Sequence, residues 1–330
     1  MNSFTYTAAP DANTAAALLT ADKHAQLIAG GTNLLDLMKE NVAQPAALID
    51  INNIDGLDGI TTLDNGGLRL GALAHNADTA YHPLVEQKYP LLAKAILSGA
   101  SAQLRNMATN GGNMMQRTRC YYFYDTSTPC NKREPGTGCS AIGGYNRIHA
   151  ILGASDSCIA TFPSDMCNAL AALDATINVT GPEGDRVIAF TDFHRLPGDE
   201  PQLDNILKHG ELITSIDLPK NGFEKNYAYL KLRDRTSYAF ALVAIATGLE
   251  LQDGLIKNAR IACGGLAHKP WRKPEAEDYL IDKVPIKENF EAAADIILNG
   301  AMGYKDNAFK IELAKRAIVR NCLTAANLNN

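Results

Sequence analysis

Short apolar clusters separated by polar punctuation run through the first fifty residues. TAAALL (residues 14–19) is helix-prone, and AQLIAGG (25–31) reads as a short buried strand entering a glycine turn. LLDLMKE (34–40) has helical spacing, and AALIDI (46–51) reads as another strand. The pattern predicts a small α/β unit, residues 1–55. GLRLGAL (67–73) opens a second unit, 56–220, with helices expected over 83–98 and 102–107. Later in that unit SDMCNALAALDA (164–175) is a helix. ATINVTGPEGDRVIAF holds two strands around a turn at 181–184, and ELITSIDLP is a closing strand.

Beyond residue 220 the period changes. KNYAYLKLR and YAFALVAIATGLELQDGLIKNARIACGGL read as long strands with a hairpin at Asp253-Gly254. The stretches 289–298 and 309–328 have helical apolar spacing. Strands followed by helices mark 221–330 as an α+β domain with an antiparallel sheet.

One segment breaks the pattern. From about 116 to 160 the chain is rich in Gly, Pro, Thr, Asn, Cys and Tyr, with no sustained period. An ordered loop of that length is usually functional, and it has little apolar material of its own to hold it together.

A chain of 330 residues, 46% hydrophobic and 20% charged, is expected to be globular and to hold more than one domain. A net charge of -5 gives no electrostatic case for nucleic acid. No apolar run approaches the ~20 residues of a membrane span, so a soluble protein is expected. MNSFTYTAAPDANTAAALL lacks the basic-then-apolar form of a secretion signal, so none is expected in the chain itself.

The seven cysteines are Cys120, Cys130, Cys139, Cys158, Cys167, Cys263 and Cys322. An odd total argues against a disulfide framework. The last three have apolar neighbours and are read as small buried hydrophobes. The first four, spaced C-x9-C-x8-C-x18-C, all fall in the irregular segment. Zinc sites usually contribute tight C-x2-4-C pairs, which are absent. Four thiolates on one loop suit an iron–sulfur cluster, the leading reading, and would supply ordering free energy. Zinc, unrelated free thiols or two disulfides remain open on spacing alone. Lys132, Arg133 and Arg147 in the same segment are read by default as solvated.

Two stretches share the form Gly-Gly-polar, AGGTNLL (29–35) and TNGGNMM (109–115). Glycine lets backbone N–H groups approach a phosphate, and Thr or Asn adds a side-chain hydrogen bond. Most Gly-Gly pairs only make turns. Two such loops are stronger, because a dinucleotide pyrophosphate has two faces to cradle. GTGCSA (136–141) spells a dinucleotide fingerprint, but it neither follows a strand nor opens a helix, so it is rejected. Ser164 as N-cap and Asp165 in the first turn are explained locally by helix capping. Lys231 alternates with apolar residues and reads as a solvated strand face. No Ser/His/Asp or His/Glu grouping asks for a catalytic role, and the histidines are dispersed.

Taken in order, AGGTNLLDLMK, RNMATNGGNMMQ, FPSDMCNALAALDA, GELITSIDLP and YLKLRDRTSYAFALV resemble the FAD-binding subunits of the xanthine dehydrogenase/molybdenum hydroxylase family. RTRCYYFYD, CNKREPGTGC and NRIHAILGASDSC are most similar to its periplasmic aldehyde-oxidising branch. The resemblance implies an α+β fold: a two-part FAD-binding region of the vanillyl-alcohol-oxidase type (1–55 and 56–220), then an α+β domain. It implies FAD contacts from Leu27, Ile28, Ala29, Gly30, Gly31, Thr32, Asn33 and Leu34, and from Thr109, Gly112 and Asn113. Asp165 would hydrogen-bond the cofactor, Leu212 and Ile213 would pack near the flavin ring, and Lys231 would stand close to it. Flavin subunits with an insertion like 116–160 carry a [4Fe-4S] cluster, which here implies Cys120, Cys130, Cys139 and Cys158 as ligands.

The function implied is an electron-transfer subunit that oxidises no substrate itself. A large molybdenum-cofactor partner would oxidise an aldehyde to a carboxylic acid. A small partner with two [2Fe-2S] clusters would pass electrons to FAD, which would deliver them to an external acceptor. Periplasmic location would then follow from co-export with a signal-bearing partner, with the cytoplasm as the alternative. Two other readings stand beside this one: a self-standing FAD reductase or oxidase whose cysteine loop binds zinc, and an assembly subunit without cofactor.

Overall fold

AQLI and ALID become adjacent strands because each presents apolar residues to the same helix while its ends are set by polar turns. In the computed structural model, which describes residues 1–327, β1 (Thr5–Ala8), β2 (Ala25–Ile28) and β3 (Ala47–Asp50) form a parallel sheet ordered β1-β3-β2. Parallel neighbours need a crossover. The helix Ala12–Ala21 supplies one, capped by Asp11, whose carboxylate accepts from the Thr14 amide at 2.7 Å. Its Ala15 and Ala16 pack on Ile49, Ile51 and Ile54, and also on Leu73 and Leu212 from far along the chain. The hydrophobic pattern does not predict β1. All four of its residues are exposed, so it carries no apolar alternation to read.

β4 (Ile60–Thr62), β5 (Leu68–Gly71), β6 (Thr176–Gly181), β7 (Gly184–Ala189) and β8 (Leu212–Leu218) form an antiparallel sheet ordered β4-β5-β8-β6-β7. The single helical region expected over 83–98 is two helices, Pro83–Lys88 and Pro90–Ser98. Each starts with proline at its first turn, and Pro90 disfavours helical geometry at Tyr89. The helix Asp165–Ala172 is buried along its whole length, because it lies between this sheet and the next and packs on Pro90–Ser98.

β9 (Asn226–Leu232), β10 (Val243–Gln252), β11 (Leu255–Gly264) and β12 (Trp271–Arg272) form an antiparallel sheet ordered β12-β11-β10-β9. Asp253 and Gly254 have φ of 52° and 78°, the two positive values that a tight hairpin turn needs. The helices Pro274–Leu280, Lys287–Ile297 and Phe309–Ala325 build a separate core against it. The last helix ends at Ala325 rather than 328, and Leu328 lies outside the described residues. Residues 116–160 contain only one-turn helices, Tyr121–Tyr124 and Ser140–Gly143. No described helix is long and apolar enough to cross a membrane.

Candidate functional site

The two glycine loops lie against one another. A Cβ built on Gly30 would collide with the Met107 carbonyl, so the first loop sits directly on the backbone leading to the second. Gly31 adopts φ +69°, a conformation that favours glycine. The amides of Gly30, Gly31, Thr32 and Asn33 have no acceptor among the described residues, while Leu34 opens the helix Leu34–Lys39. These free donors, beside the half-buried Leu27 and Ile28 that end β2 and Ala29 that follows it, suit an anionic ligand.

The second loop is rigid. Thr109 caps the helix Asn110–Met114, its hydroxyl accepting from the Gly112 amide at 3.2 Å. Fully buried Asn110 donates to the Gly71 carbonyl and exchanges hydrogen bonds with Thr79. A Cβ at Gly112 would meet only the Thr109 hydroxyl, so the space beyond that glycine is open. Asn33 Oδ1 accepts from the Arg117 amide at 2.8 Å, and Asn113 Oδ1 accepts from Ser164 Oγ at 2.6 Å. Three stretches distant in sequence are thereby tied together. Leu212 and Ile213 are buried on β8 and join the first and second cores respectively. β8 reaches the second loop through Ala72, which donates to the Thr214 carbonyl and accepts from the Gly111 amide.

Asp165 does more than serve the helix dipole. Ser164 caps the helix, as local reading expects, by accepting from the Cys167 amide at 3.0 Å. The Asp165 carboxylate receives Lys231 Nζ at 2.7 Å and Tyr229 Oη at 2.7 Å. Lys231 also donates to the Ser98 carbonyl at 3.0 Å. Its side chain is only 5% exposed, so the solvated strand-face reading of Lys231 is wrong. The helix Pro90–Ser98 packs across β9 and Asp165 meets Lys231 beside it, contacts no strand period reveals. Asp165 lines a pocket of about 430 Å³ with Asn168, Arg119, Tyr124, Phe162 and Phe240, within the size range of small-molecule sites.

The four insertion cysteines line one small cavity of about 10 Å³. All seven cysteines are free thiols, and Cys167, Cys263 and Cys322 are fully buried small hydrophobes. Cys130 and Cys139 face each other in an antiparallel bridge closed by Asn131, whose Oδ1 accepts from the amides of Gly136 and Gly138. Burial pushes the Cys120 thiol up to about 12. The hydrogen bond with Cys158 brings Cys139 down to about 6 and, with burial, drives Cys158 up. Among the described residues no three His, Cys, Asp or Glu side chains are grouped to hold a single metal ion.

The basic residues of this segment correct another default. Lys132 is buried and donates to the Pro201 carbonyl at 2.6 Å and to Asp204 at 2.5 Å. Arg133 turns inward onto the carbonyls of Tyr122, Phe123 and Thr128. Arg147 pairs with Asp234 at 2.7 Å and lies over the Phe309 ring. None is simply solvated. Dispersed histidines also converge: His149 Nε2 stands 3.1 Å from Cys120 Sγ, and His268 Nε2 stands 3.3 Å from Cys158 Sγ. Burial holds both rings neutral, at about 4 and about 3. Their only sequence signal is an apolar flank, which any core histidine shares.

Asp204 anchors the insertion and makes it acid-sensitive. Burial would raise its pKa, but Arg117 and Lys132 outweigh burial and hold it below the usual carboxylate value. With a depressed folded pKa, this stabilisation is complete above the unfolded value near ~3.9 and is lost as pH falls through the folded one. Amide exchange in residues 130–158 is therefore expected to accelerate below about pH 4, and Asp204→Asn to weaken that pH dependence. Identical profiles in the two proteins would count against the anchor.

A backbone cradle of free amides, beside a buried carboxylate and a second α+β core, makes a site for an anionic small molecule. Residues 2–221 match the family described as FAD binding domain in molybdopterin dehydrogenase. Residues 227–324 match the CO dehydrogenase flavoprotein C-terminal domain. The chain belongs to the FAD-binding subunits of the molybdopterin dehydrogenases, which are oxidoreductase subunits. It is 48% identical over 96% of both chains to the aldehyde oxidoreductase FAD-binding subunit PaoB of Escherichia coli K12. It is 28% identical to the glyceraldehyde dehydrogenase medium chain of Sulfolobus acidocaldarius, over 89% of this chain and 85% of the relative. Among solved structures, carbon monoxide dehydrogenase of Hydrogenophaga pseudoflava superposes with a TM-score of 0.78 at 26% identity, over 100% of this chain and 99% of that one. The two-part FAD-binding region followed by an α+β domain, implied by the resemblance, is the fold observed.

Proposed function

We propose that this chain is the FAD- and [4Fe-4S]-containing electron-transfer subunit of a heteromeric, molybdenum-dependent aldehyde oxidoreductase. The observation that carries the proposal is the physical join between the glycine loop and the thiol pocket. Leu37, on the helix that follows Gly30–Gly31–Thr32, packs in the same cluster as Cys120, Cys130 and Cys158. From that helix Asp36 receives Arg119 Nη1 at 2.7 Å, one residue before Cys120. A flavin in the first loop and a cluster among the thiols would be neighbours through one short helix.

The residues present fit both groups chemically. FAD would be held by the free amides of Gly30–Asn33, by the open backbone at Gly112 and by Asp165, and when bound it would supply the redox chemistry. Leu212 and Ile213 would back the ring side, and Lys231 would hold the Asp165 carboxylate in position. Cys120, Cys130, Cys139 and Cys158 form an all-sulfur donor set in a dry site, which suits iron and sulfide. The thiols share a cavity without three converging on one point, an arrangement better suited to the corners of a cluster than to one zinc ion.

By likeness to the aldehyde oxidoreductase subunit, the partners are a large molybdenum-cofactor subunit and a small subunit with two [2Fe-2S] clusters, forming a heterotrimer. The large partner would convert aldehyde and water to carboxylic acid, two electrons and two protons. This chain would receive those electrons and release them to an external acceptor. The proposed location is the periplasm, by co-export with the signal-bearing partner, and retention in the cytoplasm after deletion of the partner's signal is the expected check.

Metal and flavin analysis of the co-purified complex tests the assignment. It is expected to give about four iron atoms per FAD on this chain. Cys139→Ser should lose that iron while keeping FAD. Stoichiometric zinc without iron would replace the electron-transfer reading with a structural metal loop.

A further inference from the structure

We infer that His149 and His268 are hydrogen-bond donors to two of the four thiolates and raise the reduction potential of the cluster held there. The inference rests on the assignment of the four cysteines as ligands. Both imidazoles are nearly sealed from solvent, 1% and 7% exposed, and each aims Nε2 at a sulfur, His149 at Cys120 and His268 at Cys158. The Nδ1 atom of each ring is buried without a partner.

Those two facts fix the tautomer once iron is bound. In the free protein, thiol and imidazole can each hold the shared proton. Ligation to iron releases the thiol proton. The hydrogen bond then survives only if Nε2 carries N–H and sulfur accepts. With the proton on Nδ1, a buried N–H would lie unpaired and a nitrogen lone pair would face anionic sulfur, both costly. The Nε2–H form leaves only an unpaired acceptor at Nδ1. It is the form the pocket selects.

The surrounding backbone holds these rings in place. Lys310, on the helix Phe309–Ala325, donates to the His149 carbonyl at 2.8 Å and to the Gly265 carbonyl at 2.5 Å. Asn307 donates to the His149 carbonyl at 3.2 Å. The Ile151 and Leu152 amides both donate to the Leu266 carbonyl. The C-terminal domain thus clamps the end of the insertion to the segment carrying His268. These histidines are positioning residues that act through sulfur.

Were a cluster bound there, an electron delivered by an external reductant would add one negative charge to it and its thiolates. Donors to sulfur strengthen as that charge grows, so they favour the reduced form. Removing a donor should therefore make the cluster harder to reduce.

The test uses the purified complex and a redox titration followed by paramagnetic resonance. His149→Leu and His268→Leu are each expected to shift the reduction equilibrium about tenfold toward the oxidised form, a potential lower by about 59 mV for one electron. His268→Gln, which keeps an N–H, should recover part of that shift. Unchanged potentials in both leucine variants, with iron retained, overturn the inference. A second measurement needs no variant: reduced unmodified protein should show a proton coupled to the cluster that exchanges in deuterated water. Lack of such a proton also overturns it. An unmodified complex with no iron on this chain removes the cluster assignment, and the inference with it.

Discussion

Lys231→Met is expected to lower the stability of the protein by about 3–5 kcal/mol, the usual effect of removing one partner of a buried ion pair. Asp165 is then left with the Tyr229 hydroxyl as its remaining side-chain donor. The loss comes from an uncompensated carboxylate, not from lost packing, since methionine fills similar space. The double variant Lys231→Met/Asp165→Asn should recover much of the loss, because it removes the stranded charge. Urea titration can follow this through the fluorescence of Trp271, whose indole donates to the Ile297 carbonyl in the C-terminal core. A cost below about 1 kcal/mol would mean that water reaches Asp165, the behaviour of a surface pair. Asp165 lines the 430 Å³ pocket and Lys231 holds its carboxylate, so FAD content should fall in parallel.

Gly112→Val is expected to reduce FAD occupancy by about 10- to 100-fold while the fold survives. A branched side chain forced into a cradle costs about 1–3 kcal/mol, and each 1.4 kcal/mol is about tenfold in affinity. The position is diagnostic because a Cβ there meets only the Thr109 hydroxyl in the chain itself. Gly30→Ala is a poorer test, since its methyl would strike the Met107 carbonyl and damage the fold with or without flavin. Flavin released on denaturation, measured per chain, gives the occupancy, and circular dichroism gives the fold. Full occupancy in Gly112→Val would remove the second loop from the FAD site.

Most regular elements were legible because their apolar spacing records which face is covered. β10 and β11 are largely apolar runs of ten residues each, joined at the one two-residue turn signal Asp253-Gly254. β1 was illegible because its side chains are exposed and leave no pattern. The break at Tyr89 was missed because periodicity continues across it while the backbone does not. The insertion was visible as a failure of periodicity joined to a run of cysteines, and the glycine loops as bare backbone between elements.

By itself the sequence determined the element types, the family, the two glycine loops and the four cysteines of the insertion. Only the tertiary structure decided which residues lie beneath those loops. Lys231 looked solvated because its strand period cannot register a helix laid across it. Lys132 looked solvated because its acceptor, Asp204, lies 72 residues away. His268 meets Cys158 across 110 residues of chain. Local spacing encodes what a residue does within its own element, whereas ion pairs and sulfur contacts of this kind exist only after separate elements have packed.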